Sequence, residues 1–353
     1  MNGDRKTALV VCPGRGTYNA DELGFLTRHH GAKTAYLDVV DRMRASQSQE
    51  PITELDSRKK FSASVHTRGD NASALINACA YCDFLDIDRE RYEIVAITGN
   101  SLGWYIALGC AGALTEAATV TLVNTMGTLM HEKLIGGQLI YPLVDKNWLL
   151  IPGRVSRLEA LRQELDRKPG RLLHVSIELG GMLVFGGDDK SLRELEKLLE
   201  PEQDRYPLRL RHHAAFHTSL QTEVMHTARG KLKALEFTQP LLPLVDGRGA
   251  LWPPYSTDPR KLWDYTLGHQ LVETYRFSAA IQVGVKEFAP DCIINLGPGN
   301  TLGSAIAQSL IAIQWQGIRS KRTFQQRQSN EPYILSMGIP EQRKEVVARE
   351  TND

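Results

Sequence analysis

Thr98-Gly99-Asn100-Ser101-Leu102-Gly103-Trp104 joins a short apolar run, 94–97, to an alanine-rich stretch that ends at residue 113. An apolar run bounded by turn residues is typical of a buried strand, and the stretch that follows has the composition of a helix. The Gly-x-Ser-x-Gly spacing predicts a sharp turn between them, because glycine leaves room where the backbone doubles back. Ser101 is therefore either an exposed nucleophile or a turn serine at the beginning of a helix.

The same alternation of strand and helix continues on both sides of this turn. Residues 8–12 form another apolar run before Pro13-Gly14-Arg15-Gly16, and 292–296 form one near the other end of the chain. Strands that alternate with helices and lack a period of two predict a parallel sheet covered on both faces. We expect an α/β, hydrolase-like large domain built from residues 1–135 and 212–340.

The middle of the chain, residues 136–211, has a different pattern. Its strands and helices are expected in the order β-α-β-β-α-β, at 138–144, 155–167, 172–177, 182–185, 190–199 and 206–211. This order is that of a ferredoxin-like module, which we expect as a small subdomain inserted into the large one. The polar residues 341–353 are expected to form a flexible tail.

Composition excludes several classes of protein. The 353 residues include 42 Lys and Arg against 41 Asp and Glu, so the net charge of +1 gives no general attraction to nucleic acid or anionic lipid. No apolar stretch is long enough to span a membrane, and the first is too short for a signal peptide. The five cysteines, an odd number, indicate reduced thiols in a cytoplasmic protein. Cys79 and Cys82 form a CxxC within an expected helix, which favours buried packing over metal binding.

A serine nucleophile needs a base, because its hydroxyl does not ionise near neutral pH. His217, in Ala214-Ala-Phe-His-Thr218, follows the last strand of the small module and opens a helix, so other strand ends can reach it. His212 and His213 lie at the end of the preceding strand and are expected at the surface or in packing. The amide of Leu102, at the beginning of the helix after Ser101, is free to donate to an oxyanion.

Several motifs in one order give a more specific indication. They are Pro13-Gly-Arg-Gly16, Gly99-Asn-Ser-Leu-Gly103, Ala107 to Leu114, Val123 to Met130, Ala215-Phe-His217, Gln270-Leu271 and Asn295-Leu-Gly-Pro-Gly299. On these motifs, over most of its length, the chain resembles the malonyl-CoA:acyl-carrier-protein transacylases and the acyltransferase domains of polyketide synthases. The family also contains a ferredoxin-like small subdomain.

The resemblance implies a catalytic role for each residue that matches a motif. Ser101 would be the nucleophile, His217 the general base, and Gln270 the residue whose backbone carbonyl orients the imidazole, while the amides of Arg15 and Leu102 would form the oxyanion hole. The substrates would be acyl-CoA and the phosphopantetheine thiol of an acyl carrier protein, in fatty acid or polyketide biosynthesis. No metal and no tightly bound cofactor is implied.

The chain departs from the family in the expected acyl pocket. Malonyl-specific members bind the substrate carboxylate with an arginine in the pattern Val-x-x-Arg-Gly, and Met126 occupies that position here. Asn100, Ser176 and Met182 also replace residues of the family's pocket and are expected to bind substrate. Because a thioether cannot pair with a carboxylate, we expect an uncharged acyl group, unless another basic residue such as Arg15 restores the pairing.

Two other functions remain open at this stage. The same residues could serve an editing acyl hydrolase, with water as the acceptor, or the chain could be a scaffold subunit of a synthase without activity of its own. An acidic carrier protein would need a basic surface, for which the candidates are Arg205, Arg209, Arg211, Arg319, Lys321, Arg322 and Arg327. These residues could equally be ordinary solvated positions.

Overall fold

The structure is a computed structural model that describes residues 5–348. Within this range the strands are β1 (Lys6–Cys12), β2 (Tyr92–Gly99), β3 (Gly137–Pro142), β4 (Leu173–Leu179), β5 (Met182–Gly187), β6 (Leu208–Leu210), β7 (Leu244–Val245), β8 (Leu251–Trp252), β9 (Cys292–Asn295) and β10 (Ile334–Ser336). The helices are α1 (Phe25–His30), α2 (Thr34–Ser46), α3 (Ile52–Asp56), α4 (Ala63–His66), α5 (Gly69–Asp86), α6 (Leu102–Cys110), α7 (Glu116–Glu132), α8 (Arg154–Asp166), α9 (Asp189–Leu198), α10 (Thr222–Lys231), α11 (Pro259–Thr266), α12 (His269–Val272), α13 (Phe277–Phe288), α14 (Leu302–Ala312), α15 (Lys321–Asn330) and α16 (Pro340–Val346).

The large sheet has the strand order β10-β9-β1-β2-β7-β8. All neighbours in it pair in parallel except β7 and β8, which are antiparallel. The central strand β1 is fully buried from Ala8 to Cys12, which explains its continuous apolar sequence. Helix α6 packs on β1 and β2, and α13 packs on β2. The parallel sheet predicted from the sequence is therefore confirmed.

The small sheet has the order β4-β5-β3-β6, and every pair in it is antiparallel. Helices α8 and α9 cover it, with a separate apolar core that includes Leu139, Leu158, Phe185 and Leu192. The order of elements and strands is that of a ferredoxin-like module. The predicted fold class, an α/β large domain with a ferredoxin-like subdomain, is confirmed.

The C-terminal segment differs from the expected flexible tail. Residues 340–346 form helix α16, in which Val346 is fully buried. The Arg343 guanidinium contacts the carboxylates of Asp83 and Asp86 at the end of α5. A buried ion pair of this kind does not appear in a hydropathy pattern, which explains the wrong expectation for 341–346. Residues 349–353 lie outside the described part of the chain.

The cysteines lie inside the fold. All five are unpaired and buried, with Cys79 and Cys82 on α5 as the sequence indicated. Burial raises the pKa of the Cys79 thiol well above its ordinary value, so this thiol is protonated at neutral pH. Among the helices of residues 5–348, none has both the length and the apolar composition that crossing a membrane requires.

Candidate active site

Ser101 lies on a sharp turn between β2 and α6. Its φ of 55° is in the left-handed region, an uncommon conformation for a residue with a side chain. The turn is held by hydrogen bonds from the Asn100 amide to the Cys12 carbonyl (3.1 Å) and from the Gly103 amide to the Asn100 carbonyl (2.8 Å). A non-glycine residue in this conformation costs about 1–3 kcal/mol and persists where the surroundings hold it.

Glycine is required on both sides of Ser101. A Cβ atom on Gly99 would lie 2.4 Å from the Gly103 carbonyl carbon, and one on Gly103 would lie 2.3 Å from the Cys12 carbonyl oxygen. Neither backbone group can move away without disturbing β1 or α6. The Gly-x-Ser-x-Gly spacing therefore has the steric cause that the sequence suggested.

His217 contacts Ser101 directly. Its Nε2 atom lies 2.7 Å from the Ser101 hydroxyl, and its Nδ1 atom lies 2.6 Å from the backbone carbonyl of Gln270. A carbonyl oxygen can only accept, so Nδ1 carries the hydrogen and Nε2 is left to accept from the hydroxyl. The structure thus brings together the three residues that the resemblance selected.

Gln270 is held by its own side chain. Its Oε1 atom accepts a hydrogen bond from the Tyr105 hydroxyl (2.9 Å), and its Nε2 atom donates to the Ser101 carbonyl (3.2 Å). Both contacts fix α12 against the Ser101 turn. The carbonyl that faces His217 therefore has a defined position.

The environment of His217 keeps the imidazole neutral. Burial lowers the pKa of His217 from its ordinary value of 6.5 to about 4, although the hydrogen bond to the Gln270 carbonyl acts in the opposite direction. At neutral pH the ring is therefore unprotonated. A neutral Nε2 beside a hydroxyl is the arrangement that a general base needs.

The beginning of α6 and the loop after β1 each present a backbone amide near Ser101 that has no acceptor within residues 5–348. These amides are those of Leu102, the first residue of α6, and Arg15, in the loop after β1. The Leu102 amide lies at the beginning of a helix and carries partial positive charge, so it favours a nearby anion. The arrangement can support an oxyanion on a carbonyl attacked by Ser101.

A small cavity of about 30 Å³ adjoins Ser101 and His217. Its apolar wall consists of Leu102, Tyr105, Met126, Met130 and Phe216, and its polar lining includes Ser73 and Arg15. Met126 is 2% exposed, so its thioether is part of the packed wall. The cavity has room for about two water-sized groups.

Arg15 is the charged residue of this cavity lining. One guanidinium nitrogen, Nη2, donates to the carbonyls of Thr67 (3.0 Å) and His212 (3.2 Å). Its Nε and Nη1 atoms are buried and have no partner among the described residues. Burial lowers the pKa of Arg15 to about 10, and the Asp70 carboxylate partly offsets this effect. Arg15 therefore remains a cation at neutral pH, with hydrogen-bonding capacity unused.

Ser176 and Met182 do not line the cavity, contrary to expectation. Ser176 is fully buried behind it and donates to the Phe216 carbonyl (2.7 Å). Met182 and Asn100 line a separate cleft of about 790 Å³ between the small module and the large domain, which shares Arg15 with the cavity. The sequence could place Ser176 on its strand but not on a particular side of it.

The basic residues considered for a carrier surface are in different situations. Arg205 and Lys321 line the cleft of about 790 Å³ between the small module and the large domain, whereas Arg209 forms an ion pair with Asp189 (2.8 Å). Arg211 and Arg322 are exposed. Arg319 is exposed as well, and Arg327 lines a different cleft beside Arg5 and Lys6, so the structure does not gather all of the predicted residues on one surface.

Tyr275 belongs to the site but was missed in the sequence. Its hydroxyl donates to the Gly99 carbonyl (2.6 Å), and its ring centre lies 5.2 Å from that of His217. No local pattern marks it, because it follows α12 in an irregular segment. Gln138, which contacts Ser176 from β3, was also missed, because its partner lies 38 residues away in the sequence.

Comparisons with known proteins agree with the motifs. No protein-family model matches the chain. It is 25% identical over 190 residues to a non-reducing polyketide synthase of Byssochlamys spectabilis, covering 52% of this chain and 8% of the synthase. It is 20% identical over 214 residues to the malonyl CoA-acyl carrier protein transacylase of Buchnera aphidicola, covering 60% and 64%. The chain thus spans less than two thirds of either relative.

Solved structures are similar over nearly the whole chain. The malonyl-CoA:ACP transacylase of Synechocystis has a TM-score of 0.74 at 14% identity, covering 97% of this chain and 100% of that one. A malonyl-transacylase solved in complex with its holo type II polyketide synthase acyl-carrier protein has a TM-score of 0.71 at 16% identity, covering 86% and 93%. The resemblance indicated by the motifs is confirmed, and the chain has the fold of the malonyl-CoA:acyl-carrier-protein transacylases.

Proposed function

We propose that the protein transfers an acyl group from a thioester donor to the phosphopantetheine thiol of an acyl carrier protein. The observation that carries the proposal is the hydrogen-bonded series Ser101, His217 and Gln270, with contacts of 2.7 and 2.6 Å. The names of the relatives support the choice of acceptor, since they include transacylases and one complex with a carrier protein.

The reaction proceeds in two half-reactions. The Ser101 oxygen attacks the thioester carbon while His217 Nε2 takes the hydroxyl proton, and the oxyanion accepts from the Leu102 and Arg15 amides. The C–S bond then breaks, and the departing thiolate takes the proton from His217. In the second half-reaction the carrier thiol gives its proton to His217 and attacks the acyl-serine, and Ser101 leaves and is reprotonated.

The acyl group is proposed to be short and uncharged. Met126 and Met130 supply an apolar wall, and the cavity of about 30 Å³ accommodates only a few carbon atoms without movement of that wall. A carboxylate against Met126 would lose its hydration without gaining a partner there, which costs several kcal/mol. An acetyl group meets no such penalty.

A second candidate substrate class is favoured by the two unpartnered nitrogens of Arg15. A carboxylated acyl group could use them, because the guanidinium forms strong hydrogen bonds with carboxylates. Arg15 would then supply the guanidinium that malonyl-specific members have at the position of Met126. The two candidates predict different donors. Acetyl-CoA should acylate Ser101 faster if the acyl group is uncharged, and malonyl-CoA should do so if Arg15 binds a carboxylate.

The test is the intact mass of the protein after incubation with acetyl-CoA, butyryl-CoA and malonyl-CoA, with Ser101→Ala as the control. We expect acetyl to add one acyl mass to the wild type and none to the variant. Faster loading by malonyl would favour the Arg15 candidate. No adduct from CoA donors or from acyl carrier proteins would contradict the transferase and favour a scaffold.

The acceptor is tested separately with the isolated acyl-enzyme. Loss of the acyl mass should accelerate when holo acyl carrier protein is added and should be slow in buffer alone. Equally fast loss without the carrier thiol would identify an acyl hydrolase instead.

A further inference from the structure

Ser176 occupies an irregular position in the small sheet. The pairing of β4 with β5 shifts register between Val175 and Ile177, so Ser176 lies at a β-bulge. A bulge leaves one residue out of the ladder and redirects its side chain. Here the redirected side chain is fully buried and points towards the segment that carries His217.

A series of side chains ends on that segment. The His213 Nδ1 atom lies 2.8 Å from Gln138 Oε1, Gln138 Nε2 donates to the Ser176 hydroxyl (2.6 Å), and that hydroxyl donates to the Phe216 carbonyl (2.7 Å). Burial lowers the pKa of His213 well below its ordinary value, so the ring is neutral and donates through Nδ1. The direction of each hydrogen bond is thus defined, and the Ser176 hydroxyl accepts from Gln138 and donates to the Phe216 carbonyl.

The Phe216 carbonyl belongs to the peptide bond that leads into His217. His217 has a φ of 56°, in the left-handed region, so its conformation needs support from its neighbours. Gly186 on β5 gives the segment room, since a Cβ atom there would lie 2.8 Å from a Thr218 side-chain carbon and 3.2 Å from Ser176 Cβ. The small sheet is therefore shaped to receive this peptide.

Ser176 is also connected to the turn between β2 and α6 that carries Ser101. The Ser176 carbonyl accepts a hydrogen bond from the Tyr275 amide (2.9 Å), and the Tyr275 hydroxyl donates to the Gly99 carbonyl (2.6 Å). Ser176 thus connects two parts of the site. Its hydroxyl contacts the peptide before His217, and its carbonyl contacts Tyr275, which reaches the end of the strand before Ser101.

We propose that Ser176 is a positioning residue, which sets the orientation of the His217 imidazole towards Ser101 by holding the Phe216–His217 peptide. Gln138 fixes the direction of the Ser176 hydroxyl. The inference rests on the proposed function, because it assigns a role in a reaction carried out by Ser101 and His217. It also gives the small subdomain a part in the chemistry.

The experiment compares Ser176→Ala with Ser191→Ala in the full chain. Ser191 is a matched control, because it is also fully buried in the small subdomain and donates a hydrogen bond, to Asp188 (2.5 Å). We expect kcat for acyl transfer to fall roughly 10- to 100-fold in Ser176→Ala, with KM within twofold of the wild type, because a slightly displaced base loses its alignment. Ser191→Ala should keep the wild-type kcat.

A second variant separates positioning from folding. Ser176→Cys keeps the shape and a donor at the same position, but the slightly larger thiol donates more weakly, so we expect its kcat between those of the wild type and Ser176→Ala, with a melting temperature close to that of the wild type. The rate at which a fluorophosphonate labels Ser101 should follow the same order. Equal kcat in Ser176→Ala and Ser191→Ala, with an active wild type, would overturn the inference. An inactive, unlabelled wild type would instead contradict the proposed function.

Discussion

His217 is 3% exposed and lies between Ser101 and Gln270, so the protonation of its ring is governed by these neighbours and by burial rather than by contact with bulk water. Since its pKa is lowered to about 4, the ring is already in the basic form across the neutral range. A change of pH between 8 and 6 should therefore leave the amount of competent base unchanged.

The rate of Ser101 acylation should accordingly stay level from pH 8 down to about pH 5 and fall below that, with an apparent pKa of about 4 for His217. The rate falls on the acid side because protonated Nε2 can no longer accept the hydroxyl proton. Single-turnover acylation by acetyl-CoA, followed by mass at each pH, measures this limb. A midpoint near the ordinary value of 6.5 would contradict the buried environment described for the ring.

Met126 lies in the apolar wall of the cavity beside Ser101. Met126→Arg should raise the rate of malonyl loading relative to acetyl by about tenfold or more, because a charge-assisted pair with the carboxylate contributes roughly 1.5–3 kcal/mol. Competition between the two CoA donors, read as the ratio of adduct masses, measures the change. An unaltered ratio would mean that residue 126 does not contact the acyl group.

Arg15→Gln distinguishes the second candidate substrate. If the acyl group is uncharged, the variant should change the rates of acetyl and malonyl loading in the same proportion, because the proposed oxyanion donor at this position is the backbone amide, which the substitution retains. A selective loss of malonyl loading would assign the carboxylate to Arg15. The same competition assay serves, with the wild type as reference.

Ser101, His217 and Gln270 could be identified from motifs, because each lies in a short segment with a recognisable pattern of residues. Ser176 was selected for the wrong reason, as a group in contact with substrate. Its side chain faces the Phe216 carbonyl because β4 has a bulge, and hydrophobic alternation does not reveal a bulge. Contacts made by residues distant in sequence, such as Tyr275, leave no local signal.

The turn between β2 and α6 depends on close approach of three backbone segments. Gly103→Ala should destabilise the protein by about 1–3 kcal/mol or more, since the new Cβ atom would lie 2.3 Å from the Cys12 carbonyl oxygen. Gly230→Ala, on α10, is the matched control, because its Cβ atom meets nothing within 4 Å. That change should stabilise the helix by up to about 1 kcal/mol. Urea unfolding of both variants measures the difference, and equal stabilities would contradict the steric argument.

Elements with an apolar pattern were predictable from sequence, whereas those held by polar contacts were not. The order of strands and helices in the small module could be read from its apolar runs, because each element buries one face against a single core. Arg44 lies in a polar part of the sequence, yet on α2 it is fully buried and donates to the Asp70 carbonyl and to Asn71. Such partners lie too far along the chain for a pattern to indicate them.

Helix α16, near the end of the described chain, is joined to α5 and α1 through charged side chains. Arg343 on α16 contacts Asp83 and Asp86 on α5, and His30 on α1 lies 2.9 Å from Asp83. Arg343→Met should lower the free energy of unfolding by roughly 3–5 kcal/mol, because it removes the guanidinium from the fully buried Asp83 carboxylate, whereas Asp86 keeps its ion pair with Lys33. Arg157→Met is the control, because the Arg157–Glu200 pair is exposed and should contribute less than about 1 kcal/mol. Similar unfolding midpoints for the two variants would contradict this role for α16.

The connection of β4 to both the Ser101 turn and the His217 segment has a consequence for protein engineering. Exchanging the small subdomain for that of a structurally similar transacylase, in order to test the proposed choice of carrier protein, would also exchange Ser176 and Gln138. In a chimera joined at the boundaries of the module, the Phe216–His217 peptide of the host would then lack the contacts made by Ser176 and Gln138. Chimeras that retain these two side chains, together with Tyr275 of the host, should keep turnover while the carrier surface changes.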